Sequence, residues 1–313
     1  MNSYKPDILK GFELLAIEMP KDYEGKVVCT LIRKRNAQSS ERAVLYVHGF
    51  LDYFFQKEMA DKFIEQGYNF YALDLRKCGR SILPNQKPYN LRKIEEYFAD
   101  LDAAIAQIKE ENNNKLVIFA HSTGGLTTSL YLDKHKDASN ALALNSPFLE
   151  MNKSWMIRKI GIPFVTLFAG LFPNLAANSN FSTFYEQSLH KTAKGEWDYN
   201  LEWKPIAAKM VTLSWLNGIH KAHKAIKQGL NIQCPVLVLS SNKSMKRHEW
   251  TDAFHHADLV LSVDQIQRYA DKLGKNVIKQ KIEGGKHDLV LSEKPMREKV
   301  YEIIFSWLSK ITT

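Results

Sequence analysis

Cysteine is scarce in this chain: Cys29, Cys78 and Cys234 are all it has. An odd and sparse set excludes a disulfide framework and points to a reducing compartment. The first residues, Met1-Asn2-Ser3-Tyr4-Lys5-Pro6-Asp7, lack the apolar stretch of a secretory signal, so a cytoplasmic location is expected. Long apolar runs are missing as well. The longest, residues 160–171, is broken by Gly161, Pro163 and Gly170, and a bilayer span needs about 20 residues. There is no internal repeat and no low-complexity tract. Acidic side chains are outnumbered, 34 against 43 basic ones, which leaves a formal net charge of +9. Such an excess can attract anionic lipid or nucleic acid. The lysines are scattered and no nucleic-acid motif is present, so a solvated basic surface is expected and nucleic acid is not a predicted partner.

What is present is an alternation of short apolar runs and amphipathic stretches. Residues 11–19 and 26–33 read as two strands of a hairpin, with Gly25 in the turn. Strands follow at 43–47, 70–73, 116–120 and 141–144, separated by helices at 56–66, 91–110 and 125–135. In the 91–110 helix, Ile94, Phe98, Leu101, Ile105 and Ile108 form one apolar stripe. Strand–helix alternation of this kind implies right-handed crossovers and a parallel sheet. The rhythm breaks at Phe148. Residues 148–230 are rich in aromatic side chains and show no obvious strand. The rhythm resumes with a strand at 235–239, a helix at 264–273, a strand at 277–282 and a helix at 295–308. The simplest organisation is an α/β core, residues 1–147 and 231–313, interrupted by an insertion at 148–230.

One stretch carries a chemical signal. The run Leu116–Ala120 ends in His121-Ser122-Thr123-Gly124-Gly125, and a helix follows. A serine in a sharp strand-to-helix turn holds its hydroxyl out at the C-terminal edge of a sheet; the reference pattern is G-x-S-x-G, and here Ala120 takes the place of the first glycine. A serine capping an ordinary helix would leave a similar trace.

With His48-Gly49-Phe50, Asp74–Ser81, Ala120–Gly125 and Gly284-Gly285-Lys286-His287-Asp288 in this order, the chain resembles the α/β-hydrolases. Within them it is most similar to monoglyceride lipase and lysophospholipase-like enzymes, grouped with serine aminopeptidase-type hydrolases. The resemblance covers nearly the whole chain. Its departures are Ala120, Lys77 at a glycine position of the Asp74 segment, and the acid region. It implies a mostly parallel eight-stranded sheet flanked by helices, with 148–230 as a helical cap.

The resemblance also implies roles. Ser122 would be the nucleophile, which needs a base to take its proton. His287, the last histidine, would be that base, since the order in this fold is serine, acid, histidine. The family usually places an aspartate just beyond the strand at 235–239, yet residues 240–244 contain no carboxylate. Asp258 in Ala257-Asp258-Leu259-Val260 is the first choice, Asp264 the second and Asp252 the third. The backbone N–H groups of Phe50 and Thr123 would form the oxyanion hole. Phe50, His121, Phe164 and Phe168 are expected to contact substrate. His220-x-x-His223 and His255-His256-x-Asp258 have metal-ligand spacing, but no metal and no cofactor is expected. The expected activity is hydrolysis of carboxylic esters such as monoacylglycerols or lysophospholipids. A peptidase or amidase of the same fold and a non-catalytic binding protein remain open, as does transient contact with a membrane surface through the insertion.

Overall fold

The structure, a computed structural model, describes residues 3–84, 86–178, 183–207 and 210–311. Its frame is one nine-stranded sheet. The strands are β1 (Lys5–Pro6), β2 (Glu13–Asp22), β3 (Gly25–Lys34), β4 (Arg42–Val47), β5 (Asn69–Asp74), β6 (Lys115–His121), β7 (Ala141–Asn145), β10 (Val236–Ser241) and β11 (Val277–Ile282). Their order across the sheet is β1-β2-β3-β5-β4-β6-β7-β10-β11. Strands β5, β4, β6, β7, β10 and β11 run parallel to one another, and β1, β2 and β3 add an antiparallel edge. The eight strands expected from the resemblance are all here; β1, two residues paired with β2, is the ninth.

The helices are α1 (Lys57–Glu65), α2 (Glu96–Glu110), α3 (Thr123–Lys134), α4 (Ile162–Thr166), α5 (Phe184–Gln187), α6 (Leu213–Gln228), α7 (Val263–Ala270) and α8 (Lys294–Ile311). Both faces of the sheet are covered. One apolar layer joins Leu45, Ile118 and Leu144 to Leu101 and Ile105 of α2 and to Ile219 and Ile226 of α6. The other joins Tyr46, Phe119 and Leu239 to Phe63 of α1 and Ile304 of α8. Central strands buried on both faces are apolar along their middles, as β4 is from Ala43 to Val47, β6 from Leu116 to Ala120 and β7 from Ala141 to Leu144.

Two expectations need correction. The helix expected over 91–110 begins at Glu96: Leu91 and Ile94 are buried, but from the non-helical segment before it. The insertion does contain strands. A two-stranded sheet pairs β8 (Ala176–Asn178) with β9 (Met210–Thr212), leading directly into α6. The glycine position taken by Lys77 has a physical explanation. Lys77 has φ +60°, a conformation that favours glycine. Its buried ammonium lies 2.6 Å from Asp22 and 2.7 Å from Glu24, so this lysine ties the β2–β3 hairpin to the core.

Candidate active site

The C-terminal ends of β4, β6, β7 and β10 converge on one rim. At the end of β6, Ser122 has φ 51° and ψ −114°. A side chain in that region costs ~1–2 kcal/mol and persists only where the surroundings dictate it. They do so here. The Ser122 N–H donates to the Asn145 carbonyl, and the Ser122 carbonyl accepts from the N–H groups of Leu126 and Phe148. A Cβ on Gly124 would sit 2.4 Å from the His48 carbonyl oxygen, so strand β4 and helix α3 can pass only because that residue is glycine. Helix α3 is buried along its length, and Thr127, Thr128 and Ser129 return their hydroxyls to carbonyls one turn back.

The structure brings Ser122, His287 and Asp258 together. Ser122 Oγ is 3.0 Å from His287 Nε2, and His287 Nδ1 is 2.9 Å from Asp258 Oδ2. The other carboxylate oxygen, Asp258 Oδ1, accepts from the N–H groups of Val260 and Leu261 at 2.8 and 2.7 Å. All three residues are buried. With Nδ1–H turned to Asp258, Nε2 is left to accept from the Ser122 hydroxyl.

Asp258 reaches this place by a detour. The Asp258 N–H donates to the Lys243 carbonyl and the Asp258 carbonyl accepts from the Met245 N–H. Ser244 and Asp258 therefore bridge as adjacent strand residues. Residues 245–257 loop out and return the carboxylate to the end of β10, next to the position where the family's acid was expected. The alternatives lie elsewhere. Asp264 is exposed in the first turn of α7, and Asp252 is exposed and accepts from the Trp250 indole at 3.2 Å.

The N–H groups of Phe50 and Thr123 face the same rim. Thr123 is the first residue of α3, so its N–H has no carbonyl one turn back. Among the described residues, none accepts a hydrogen bond from the Phe50 N–H. The loop that carries Phe50 is shaped by His48, whose Nε2 accepts from the Leu75 N–H at 3.1 Å while Nδ1 lies 2.8 Å from the Gly49 carbonyl. Gly49 lies so close to the serine that a Cβ there would be 3.1 Å from Ser122 Cβ.

A cavity of about 850 Å³, mouth included, opens at Ser122 and His287. Phe50, Phe148, Met151, Trp215 and Leu259 give it apolar walls, and Asp52, Tyr185, Glu186 and Lys204 give it a polar one. Phe50 and His121 line it. Phe164 and Phe168 do not: their rings meet edge to face at 5.8 Å and are 62% and 43% exposed. The aromatic content of the insertion was visible in the sequence, but the direction in which these side chains point was not.

Several residues at the site carry no local motif. Asn145, at the end of β7, donates to Asp288 Oδ1 at 2.6 Å and accepts from the Leu289 N–H at 3.1 Å, which pins the loop that holds His287. The Tyr185 ring stands edge-on to the His287 ring at 5.4 Å. Lys204 Nζ donates to Asp52 Oδ1 at 2.7 Å, with both residues buried. Burial alone would push the Asp52 carboxyl up; the Lys204 ammonium, together with His121 and His48, holds it below its usual range. Burial lowers the His121 pKa. Its Nδ1 lies 3.1 Å from the Asn145 carbonyl, so it braces the rim. Asp52, His121 and Asp288 present ligand atoms within 4.8 Å of one another. That cluster is already compensated by Lys204, Asn145 and Gln56, which leaves a metal little to add. His223 Nε2–H donates to the Phe148 carbonyl at 2.8 Å, and His255 lies on a separate short turn.

Comparison with known proteins gives three likenesses. The family model described as serine aminopeptidase, S33, matches residues 38–249, a span that includes Ser122 but stops short of Asp258 and His287. Lysophospholipase L2 of Escherichia coli (strain K12) is 29% identical over 131 residues, 40% of this chain and 38% of that protein. The chain thus spans well under half the length of the curated relatives it matches. Among solved structures, a soluble variant of monoglyceride lipase from Saccharomyces cerevisiae, in complex with a substrate analogue, has a TM-score of 0.68 at 13% identity, covering 95% of this chain and 96% of the other. Monoacylglycerol lipase of Paleococcus ferrophilus has a TM-score of 0.67 at 18% identity, covering 90% and 99%. At these identities the structural likeness speaks for the fold.

Proposed function

The chain belongs to the serine aminopeptidase, S33, family of hydrolases, and from that premise we propose that it cleaves carboxylic esters through an acyl-enzyme on Ser122. The observation that carries this reading is the unbroken hydrogen-bonded line from Ser122 Oγ through His287 to Asp258, opening onto a largely apolar cavity. His287 Nε2 takes the hydroxyl proton as Oγ attacks the acyl carbon. Asp258 steadies the imidazolium and fixes its tautomer. The oxyanion that forms is held by the Phe50 and Thr123 N–H groups, each worth about 3 kcal/mol in transition-state stabilisation. Collapse of the intermediate breaks the ester C–O bond, and the leaving alcohol takes the proton from His287. Water then attacks the acyl-enzyme with His287 again as base, releasing the acid and restoring Ser122.

The proposed substrates are acyl esters with an apolar acid part, monoacylglycerols and lysophospholipids among them. The apolar walls support this, as do the names of the similar proteins. The reading is tested with a fluorophosphonate probe and p-nitrophenyl esters. The expected result is labelling of the folded protein at Ser122 and ester turnover that disappears in Ser122→Ala. Turnover that persists in that variant would overturn it, and an unlabelled folded protein would favour a binding role instead.

We also propose that residues 148–230 act as a cap whose outer face meets a membrane surface. Ile162, Thr166 and Ala169 point inward, while Trp155, Ile160, Leu167, Leu171 and Phe172 are exposed. No acidic residue occurs between Glu150 and Glu186, whereas Lys153, Arg158 and Lys159 do. An apolar ridge with cations suits an anionic interface. Among the described residues no helix is long and apolar enough to cross a membrane. Flotation with phosphatidylglycerol vesicles, reduced in a Leu167→Asp/Leu171→Asp variant, is the expected result; equal recovery of both proteins would reject the contact.

A further inference from the structure

The stretch from Asp52 to Phe55 lies between the core and the insertion. On the core side, the Phe54 N–H donates to Asp74 Oδ1 at 2.9 Å, and the Phe54 carbonyl accepts from Arg80 at 3.0 Å. Residues 199–204 of the insertion hold the other side. The Asn200 N–H donates to the Tyr53 hydroxyl at 2.7 Å. The Trp203 ring stands edge-on to Tyr53 at 5.1 Å, and the Tyr199 ring lies 4.8 Å from that of Phe55. The Trp203 carbonyl accepts from the Tyr89 hydroxyl, which ties the same segment to the core a second time. Lys204 completes the clamp with its bond to Asp52 Oδ1 at 2.7 Å.

The backbone just before this stretch is strained. Leu51 has φ +53°, a left-handed conformation that a leucine keeps only where its surroundings dictate it. It stands between Asp52 and Phe50, whose N–H faces the rim. Asp52 and Lys204 are 1% and 4% exposed. Asp52 Oδ2 has no hydrogen-bond partner, so among the described residues the Lys204 ammonium is the one donor to this carboxylate. Removing one member of a buried ion pair leaves the other charge uncompensated. A carboxylate alone at this place is driven toward water, and it takes Leu51 and Phe50 with it.

We propose that Lys204 is a positioning residue for the reaction: by holding Asp52 it fixes the left-handed turn at Leu51 and sets the Phe50 N–H where the oxyanion forms. This rests on the acyl-enzyme reading above and adds that the insertion, not the core alone, completes the oxyanion hole. Lys204 also borders the cavity at Ser122, so direct contact with the substrate alcohol is the rival role. Its charge is already committed. Besides the bond to Asp52, the ammonium lies 5.8 Å from the centres of both the Phe55 and the Tyr199 rings. Aromatic faces and one carboxylate share it, and that arrangement suits a fixed strut.

The test compares wild type, Lys204→Met and the neutral pair Asp52→Asn/Lys204→Met, with p-nitrophenyl butyrate and 1-butyrylglycerol as substrates. Losing one oxyanion donor costs about 10²–10³-fold in kcat. Lys204→Met is therefore expected to lower kcat about 100-fold, equally for both esters, with KM within about twofold of wild type. Inhibition by a butyl trifluoromethyl ketone, whose serine adduct carries the oxyanion, should weaken by the same factor. The neutral pair leaves no buried charge and should recover to within about tenfold of wild type. Deuterium exchange in a peptide covering residues 50–56 should quicken at least tenfold in Lys204→Met, while a peptide from β6 stays unchanged. If Lys204→Met fails to fold, Tyr53→Phe, which unties Asn200, takes its place with an expected loss of at least threefold in kcat. An unchanged kcat or an unchanged exchange rate would overturn the proposal. So would a loss confined to butyrylglycerol and carried by KM, which marks contact with the alcohol. Failure of the acyl-enzyme reading looks different: the wild type would hydrolyse neither ester, while exchange would still decide whether Lys204 holds the loop.

Discussion

Helix α2 and the stretch from Trp155 to Leu175 are both rich in apolar side chains, and they point them in opposite directions. In α2, Phe98, Leu101, Ile105 and Ile108 are buried against the sheet. In the insertion, the small or polar residues Thr166 and Ala169 are buried, whereas Leu167 and Leu171 are 76% and 75% exposed. The core spends its apolar surface on folding. The insertion keeps much of its own on the outside and builds the cavity from the residues that bracket it, Phe148, Met151 and Trp215. The join between the two regions is Phe148. Its N–H donates to the Ser122 carbonyl and its carbonyl lies 2.8 Å from His223 Nε2 of α6.

This contrast is open to direct attack. If the chemistry belongs to the core, Ser122→Ala should cost about 10⁶-fold in kcat with the fold intact by circular dichroism. Asp258→Asn should cost about 10⁴-fold, from the wrong imidazole tautomer, while Asp264→Asn stays within about twofold of wild type; a reversed pair of results would move the acid to α7. In stability, Ile105→Ala in α2 should lose roughly 2–5 kcal/mol in urea denaturation, the usual cost of emptying a packed site.

The join should respond to pH. Burial lowers the His223 pKa to about 4, against a weaker upward pull from Glu150; Lys227 and His220 also push it down. Between pH 6.5 and 4 the unfolded chain therefore binds a proton at this residue that the folded protein does not. Stability is fully present above pH 6.5 and is lost as pH falls toward 4, by about 2 kcal/mol at pH 5. His223→Leu should flatten that part of the urea-denaturation profile between pH 7 and 5. The smallest effect belongs to the outer face. Leu167→Ser with Leu171→Ser should shift stability by no more than about 0.5 kcal/mol, and a large loss would mean that the ridge is packed rather than exposed.

The sheet and its helices were legible because buried strands and amphipathic helices leave periodic traces in the chain. Leu91 and Ile94 mark where that legibility ends: they keep the apolar spacing of α2 and are buried, yet they lie before the helix begins, because burial needs spacing and not helical hydrogen bonds. The serine turn and the Gly284–Asp288 segment were local enough to be noticed. Asn145 and Asp288, which pin the histidine loop to each other, stand 143 residues apart, and Asp52 and Lys204 are 152 apart. No local pattern announces such pairs; only the topology that brings strand ends to one rim creates them. Phe164 and Phe168 failed for the opposite reason. Their type was informative and their neighbourhood was not, since a helix of five residues does not determine which side will find a partner.

Ser244 and Asp258 stand side by side at the end of β10 although a whole loop separates them along the chain. For the carboxylate, then, what selection must preserve is an address in space rather than a position in the polymer. An aspartate could be handed from one end of this loop to the other while His287 stayed where it is. The loop between them would then be at liberty to lengthen, shrink or acquire an unrelated purpose.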